Sequence, residues 1–420
     1  MLPTISVNRT ALQSKQFDYA AYHKALVDRS PRSNCEVCVI VPVRDEAENL
    51  PATLLALSNQ VELNGKPLDK DRYEIIVLAN NCSDDSASIA RRFAQTRSQM
   101  VIHVVEMNIE GDRAHIGWVR KLLMDEAYRR FKTIERNSGI IASTDGDTRV
   151  SSTWIAATLA EIDRGADAVG GRIVTCSKSR ARLDRATKLY YLRYQRYGYL
   201  TSQLEAGLDP DSESSPRHHH HYGASLAITA HMYAKVGGLP PLRSCEDVAL
   251  YDALMRFDAR FYHSPRVRVI TSARVVGRAE AGLSDRLSQL NAMTQQQQSI
   301  LVEPAALVVI RFYLRSWLRY IWQNRLRGFP DELSLIAPKL DLTKELLQEN
   351  ILRSPTFGSL IDRIGRGLQN RDWLAGRWQK VTIQQAIVDM STMIEKNYYP
   401  QLSLDALEQI EPIPLLAQPL

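Results

Sequence analysis

The chain has 420 residues, of which 45% are hydrophobic and 24% charged. This is an ordinary globular composition, with apolar content for two or three structural units. The formal net charge of +6 fits an anionic ligand or surface but is too diffuse to argue for nucleic acid, and no uncharged run approaches the ~20 apolar residues that a membrane span needs.

Residues 1–35 are polar with a few aromatics (Phe17, Tyr19, Tyr22) and read as an N-terminal extension without an apolar leader. Cys35 and Cys38 run into an apolar strand. Five cysteines in the whole chain form no disulfide framework, so this pair reads as structural thiols of a protein in a reducing cytoplasm. Val37–Val43 is a continuous apolar run rich in Val and Ile, the mark of a strand buried on both faces. A helix through Leu50, Leu54, Leu55 and Leu57 follows, with Pro51 in its first turn, and residues 61–72 form a loop. Tyr73–Leu78 is a second strand, stopped by the turn and cap residues Ala79–Asp85, and a helix covers Ser86–Phe93. Val101–Val105 is a third strand. Ile116–Phe131 is helical, with Leu122, Leu123, Ala127 and Phe131 on one stripe, and Ile140–Ser143 is a fourth strand. Strand–helix alternation at this spacing predicts a doubly wound, mostly parallel α/β sheet.

The second half changes character. It holds a helix over Trp154–Ile162, a turn at Gly170-Gly171 with a short strand, and an Arg/Tyr-rich helix through Tyr190, Tyr191, Tyr194 and Tyr197. Residues 205–217 read as a flexible polar loop. His218–His221 lead into a short strand at Gly223–Ile228, then a helix over Val248–Phe257 and a strand over Arg260–His263. From about residue 285 the chain is largely helical.

Asp145-Gly146-Asp147 ends the fourth strand. Two carboxylates at the end of a buried strand must be desolvated or repel each other unless a cation sits between them. Hard divalent cations take carboxylate oxygens and complete their shell with substrate phosphates. In open α/β sheets ligands bind beyond the carboxyl ends of the strands, and Glu46, Asn80-Asn81, Gly111–His115 and Asp145–Asp147 all fall at such ends. A solvated turn is the bland alternative for any one of them.

Taken in order, these pieces resemble the family 2 glycosyltransferases of the GT-A fold. Val39–Glu46, the strand ending near Asn80–Asp84, and Thr144–Asp147 match that family's first, second and fourth strand ends. Gly223–Ile228, Val236–Pro240 and Cys245–Leu250 match its acceptor-side half in order and spacing, so the resemblance covers residues 36–275. It implies a nucleotide-sugar-binding half at 36–150, an acceptor-binding half at 151–283 and a helical C-terminal extension at 284–420. It also implies an enzyme that moves a sugar from a nucleotide diphosphate donor, a UDP- or GDP-sugar, with Mn²⁺ or Mg²⁺ and usually with inversion. Asp145 and Asp147 would face the metal. Asp247 would be the base that takes the acceptor proton, with Glu246 orienting the acceptor. The donor would meet Pro42, Arg44, Glu46, Asn80, Arg113, Asp145, Arg274 and Arg278.

The chain departs from the family in two places. The acidic residue that binds the base at the end of strand two is replaced by Ala79 or Asn80, so a preference for uracil does not carry over. Asp112 stands where the family often has Lys, which shifts phosphate contact to Arg113, His115 or Arg120; an Arg on a surface helix is ordinarily just solvated. The run His218–His221 is either a solvated loop or part of the site, with His221 or His263 as a further metal ligand. Arg274 and Arg278 are either surface arginines or a loop that closes over the diphosphate. Residues 304–327 carry Arg311, Arg315 and Arg319 at spacing four. Such a helix packs on its own domain or lies peripherally on the inner face of a membrane. The acceptor is open: a small molecule, a glycan or a lipid-linked group. A retaining transferase, a sugar nucleotidyltransferase and a non-catalytic nucleotide-sugar-binding protein are the alternatives.

Overall fold

Val37–Val43 forms β1, every residue of it buried, because an unbroken apolar run has no face to offer to water. It lies between two parallel neighbours, β2 (Tyr73–Asn80) and β4 (Ile140–Ser143), and β3 (Val101–Met107) runs parallel to β2. The sheet continues past β4 with β5 (Arg149–Val150), β6 (Ala168–Thr175), β7 (Leu226–Thr229) and β8 (Phe261–Thr271), in the spatial order β3-β2-β1-β4-β7-β6-β8-β5. β7 is antiparallel to both β4 and β6, and β5 is antiparallel to β8. The sheet is therefore mixed but parallel in the half that carries β1–β4, the GT-A arrangement that the resemblance implied. The computed structural model describes residues 25–209, 217–278, 280–331, 333–369 and 379–396. Most of the N-terminal extension and the centre of the 205–217 segment lie outside the described residues.

The helices are α1 (Leu50–Ser58), α2 (Ser86–Gln95), α3 (Ile116–Thr133), α4 (Trp154–Asp163), α5 (Ser177–Ala181), α6 (Arg185–Leu208), α7 (Ala230–Lys235), α8 (Glu246–Arg256) and α9 (Leu283–Gln295). They are followed by α10 (Ala305–Asn324), α11 (Leu333–Lys339), α12 (Lys344–Arg353), α13 (Phe357–Gln369) and α14 (Ile383–Glu395). Two compact units form. One takes in the described residues up to Arg182, His220–Ala253 and Ser264–Ser288; the other takes in Leu183–His219, Leu254–His263 and the described residues from Gln289 onward.

In the first unit, Arg130 of α3 reaches Glu74 of β2 through two hydrogen bonds of 2.5 and 2.6 Å, both side chains being fully buried. A buried ion pair of this kind survives only with its fork satisfied. Cys35 and Cys38 are buried, and burial pushes the Cys35 thiol up to about 12, so both are inert packing groups. Gly170-Gly171 is not a turn; both residues lie inside β6. A Cβ on Gly171 would sit 2.0 Å from Ser225 Oγ and 2.7 Å from the Val267 carbonyl, so the glycine marks close strand approach.

In the second unit, α6 runs on to Leu208, which makes residues 205–208 of the expected loop helical. The reason is a charge ladder with α10. Arg311 binds Glu303 at 2.7 Å, Arg315 binds Glu205 at 3.1 Å, and Arg319 binds Asp209 at 2.7 Å; Arg217 also pairs with Glu205. Arg311 and Asp209 are buried. The three spaced arginines of α10 are thus committed to carboxylates of their own unit. Among the described residues no helix is long and apolar enough to cross a membrane.

Candidate active site

Beyond β4 the chain turns through Asp145-Gly146-Asp147 before β5. Gly146 lets the turn press on the end of β1: a Cβ there would lie 3.2 Å from Glu46 Cγ and from Val43 Cγ2 and 3.4 Å from the Pro42 carbonyl. Thr53, buried on α1, donates its hydroxyl to the Gly146 carbonyl at 2.9 Å. On the other side, the Thr148 and Thr271 hydroxyls lie 2.9 Å apart and 3.3 and 3.4 Å from Asp147 Oδ1. The turn is braced from both flanks before any ligand enters.

The loops after β1 and β2 are stitched together. Asp45, with φ of 51°, accepts the Ser83 N–H at 2.6 Å; Asp84 accepts the N–H groups of Ala47 and Ser86; and the Glu46 N–H donates to Ser86 Oγ at 2.8 Å. Oxygens of Asp45 and Asp84 and the Cys82 sulfur lie within 4.8 Å of one another, but both carboxylates are spent on backbone N–H groups, so this cluster shapes the loops. Asn80, the last residue of β2, is buried, and Asn81 clamps Ile109 through both its amide atoms.

Charged groups then line up across the turn. Arg274, beyond β8, bonds both Glu46 carboxylate oxygens at 2.5 and 3.0 Å and lies 3.4 Å from Asp147 Oδ2. Arg278 adds a bond of 2.8 Å to Glu46. Arg120 of α3 donates one amino group to Asp145 Oδ1 at 2.7 Å and the other to Glu246, the first residue of α8. Asp247 accepts the N–H groups of Gly223 and Val248, each at 2.8 Å. The structure thus brings together Glu46, Asp145, Asp147, Glu246, Asp247, Arg274 and Arg278 in one unit.

Burial raises the Asp147 carboxyl to about 6, helped by the neighbouring charge of Asp145 and opposed by Arg274. Burial raises Asp145 as well, against the pull of Arg120. Glu246 is pushed up to about 7 by burial, with Arg120 opposing and Asp247 adding to it. Burial works against the Arg120 cation, and Glu246, Asp145 and Asp247 more than offset it. Crowded carboxylates whose charge is held off by desolvation form a set that a hard cation would relieve. With oxygen donors and no sulfur or ring nitrogen at the turn, Asp145 and Asp147 fit Mg²⁺ or Mn²⁺.

Other expected site residues sit elsewhere. Arg44 is exposed after β1, and Pro42 is buried within it. Arg113 is exposed, its guanidinium 4.7 Å above the Trp118 ring. His115 caps α3, accepting the Trp118 N–H. His263 belongs to the second unit, edge-on to His218 at 5.6 Å, and burial takes it down to about 3. His221 stacks on Tyr251 of α8 at 4.1 Å. The histidine run is not a solvated loop: His218 and His220 are buried, and His220 accepts the Ile173 N–H.

Arg120 is the candidate site residue that sequence reasoning undervalued. It is not a solvated surface arginine; its side chain is 4% exposed. The signal was present, because the apolar stripe Leu123, Ala127, Phe131 continued back by one turn lands on Arg120. Gly223 makes the room for it: a Cβ there would lie 2.3 Å from the Arg120 Cζ.

The sequence profile of glycosyl transferase family 2 matches residues 38–211, a span that contains β1 to β4 and the Asp145–Asp147 turn. This stretch is similar to the family 2 glycosyltransferases. Glycosyltransferase AglE of Haloferax volcanii is 31% identical to the chain over 139 residues, 33% of this chain and 39% of that protein. The chain therefore matches about two fifths of the length of this curated relative. Solved structures similar to this chain include the mannosyltransferase PcManGT from Pyrobaculum calidifontis, in complex with GDP-Man and Mn²⁺, at 15% identity and a TM-score of 0.37, covering 88% of each chain. S. aureus TarS residues 1–349 in complex with UDP-GlcNAc match at 14% identity and a TM-score of 0.41, covering 80% of this chain and 92% of that one.

Proposed function

We propose that the chain is a glycosyltransferase that moves a sugar from a nucleotide diphosphate donor to an acceptor hydroxyl, with a divalent cation and with inversion at the anomeric carbon. The observation that carries this reading is the crowding of Asp145 and Asp147 on one braced turn at the carboxyl end of β4, with Asp147 pushed up to about 6. These two residues would hold Mn²⁺ or Mg²⁺. When bound, such a cation supplies neutralising charge to the departing nucleoside diphosphate.

The chain's own groups would do the rest. Arg274 and Arg278 present forks that match phosphate oxygens. The stacking of Arg113 on Trp118 leaves the diphosphate to that pair. Glu46 and Asn80 stand at the strand ends where the nucleoside would lie, with Arg44 at the outer rim and Pro42 buried beneath them. Asn80 can both donate to and accept from a base edge. Asp247 takes the acceptor hydroxyl proton as that oxygen bonds to the anomeric carbon and the bond from this carbon to the phosphate oxygen breaks. Its two backbone N–H bonds fix the carboxylate in place. Glu246, anchored by Arg120, orients the acceptor, which is a small molecule, a glycan or a lipid-linked group. The five free thiols favour a reducing cytoplasm, and the paired arginines of α10 favour packing over membrane contact.

The test is incubation with UDP-, GDP- and ADP-sugars and Mn²⁺. Metal-dependent release of the nucleoside diphosphate is expected with one of them, and the anomeric configuration of the transferred sugar reads inversion directly. Release that does not need Asp145 and Asp147, or no thermal stabilisation by any donor, sinks the reading.

A further inference from the structure

Arg274 is held in a place that the proposed transfer does not require of it. It lies three residues past the end of β8, and its two terminal nitrogens engage Glu46 at 2.5 and 3.0 Å and Asp147 at 3.4 Å. Its Nε is buried and has no partner. Glu46 is buried and is also bonded by Arg278. Asp147 is one of the two carboxylates assigned to the cation, so in the free protein one of its oxygens already faces a positive charge. A guanidinium and a divalent cation cannot both sit on that carboxylate without repelling each other.

We propose that Arg274 is the internal counter-cation of the Asp145–Asp147 site. In the free protein it neutralises the carboxylates and so weakens the binding of metal on its own. When a diphosphate arrives, the guanidinium transfers from Asp147 to phosphate oxygens, which match its fork better than a shared carboxylate does. Asp147 is then released to the cation. Metal and nucleotide therefore bind with positive coupling, each raising the other's affinity by the same factor. One amino group of Arg278 keeps Glu46 partnered while Arg274 moves, and its other amino group is left for the diphosphate. The inference rests on the metal reading proposed above.

The test is titration of the full chain with Mn²⁺ alone, read by the loss of the free-ion spin-resonance signal, and then repeated with UDP or GDP present. Arg274→Ala and Arg274→Gln should bind Mn²⁺ alone more tightly than the unmodified protein, by about tenfold for the loss of one partly exposed charge at this range. The same variants should bind the nucleotide–Mn²⁺ pair more weakly, so the effect reverses sign. Both variants leave buried Glu46 with Arg278 as its arginine partner, so each is expected to stay folded with a lowered thermal midpoint. Mn²⁺ binding that is lost in Asp147→Ala yet no tighter in either Arg274 variant overturns this inference and leaves the metal reading standing. Mn²⁺ binding unaffected by Asp145→Ala and Asp147→Ala overturns both.

Discussion

Arg120 and Glu246 form a buried ion pair, each side chain 4% exposed, and the other amino group of Arg120 holds Asp145. One guanidinium thus joins the turn that would grip the leaving group to the helix that would orient the acceptor. Only a planar fork can satisfy both carboxylates at once. Arg120→Lys is expected to remain folded and to lower kcat/KM by at least about a hundredfold, as misplacement of positioned groups does. Arg120→Ala leaves Glu246 buried without its partner and should lose about 3–5 kcal/mol of stability. Gly223→Ala, which drives a methyl into the guanidinium, should reproduce the kinetic defect of Arg120→Lys. Full activity in Gly223→Ala would falsify this joint.

Asp145→Ala and Asp147→Ala should abolish transfer without weakening the fold. Both carboxyls are raised by burial, so the native state carries a desolvated charge that the variants lack. Thermal midpoints in metal-free buffer should be equal to or above that of the unmodified chain. A midpoint lowered by several degrees would assign the pair to structure.

Asp247→Asn should lower turnover by about 10²–10⁴, the range of a lost general base, with little change in donor affinity. The side-chain carbonyl of Asn can still accept the Gly223 N–H, so the loop geometry survives. Steady-state kinetics alongside calorimetric donor binding separates the two. An unchanged kcat removes Asp247 from the chemistry.

The Glu74–Arg130 pair predicts the acid limit of the fold. Burial works against the Glu74 charge, and Arg130 and His103 more than offset it, taking the carboxyl from 4.5 down to about 2. Because the folded value is depressed, this group contributes its stability fully above pH 4.5 and loses it as pH falls toward 2. The shift corresponds to about 3 kcal/mol. Denaturant titrations between pH 7 and pH 3 should show this loss, and Glu74→Gln should flatten the curve while lowering stability at pH 7.

The strands, the α/β class and the strand-end position of Asp145 and Asp147 were legible in the chain, because apolar runs and turn residues are local signals. Val37–Val43 and Tyr73–Asn80 are buried throughout, as continuous apolar runs require. Asp145, Asp147, Glu246 and Asp247 could be named from spacing and resemblance. Gly170-Gly171 misled, because a glycine pair looks the same whether it turns the chain or lets strands touch; only Ser225 and Val267 across the gap decide. The arginines of α10 left packing and membrane contact both open in the chain, since their partners Glu205 and Asp209 lie about a hundred residues upstream.

The sequence by itself determined which residue types stand at the strand ends, since periodicity and punctuation are written locally. Only the tertiary structure decided how their charges pair. Arg120 meets Asp145 and Glu246, and Arg274 meets Glu46 and Asp147, through contacts 25 to 228 residues apart in the chain. The physical reason is that a buried charge takes its partner from whatever the fold sets beside it, and no period or motif in the chain encodes that neighbour.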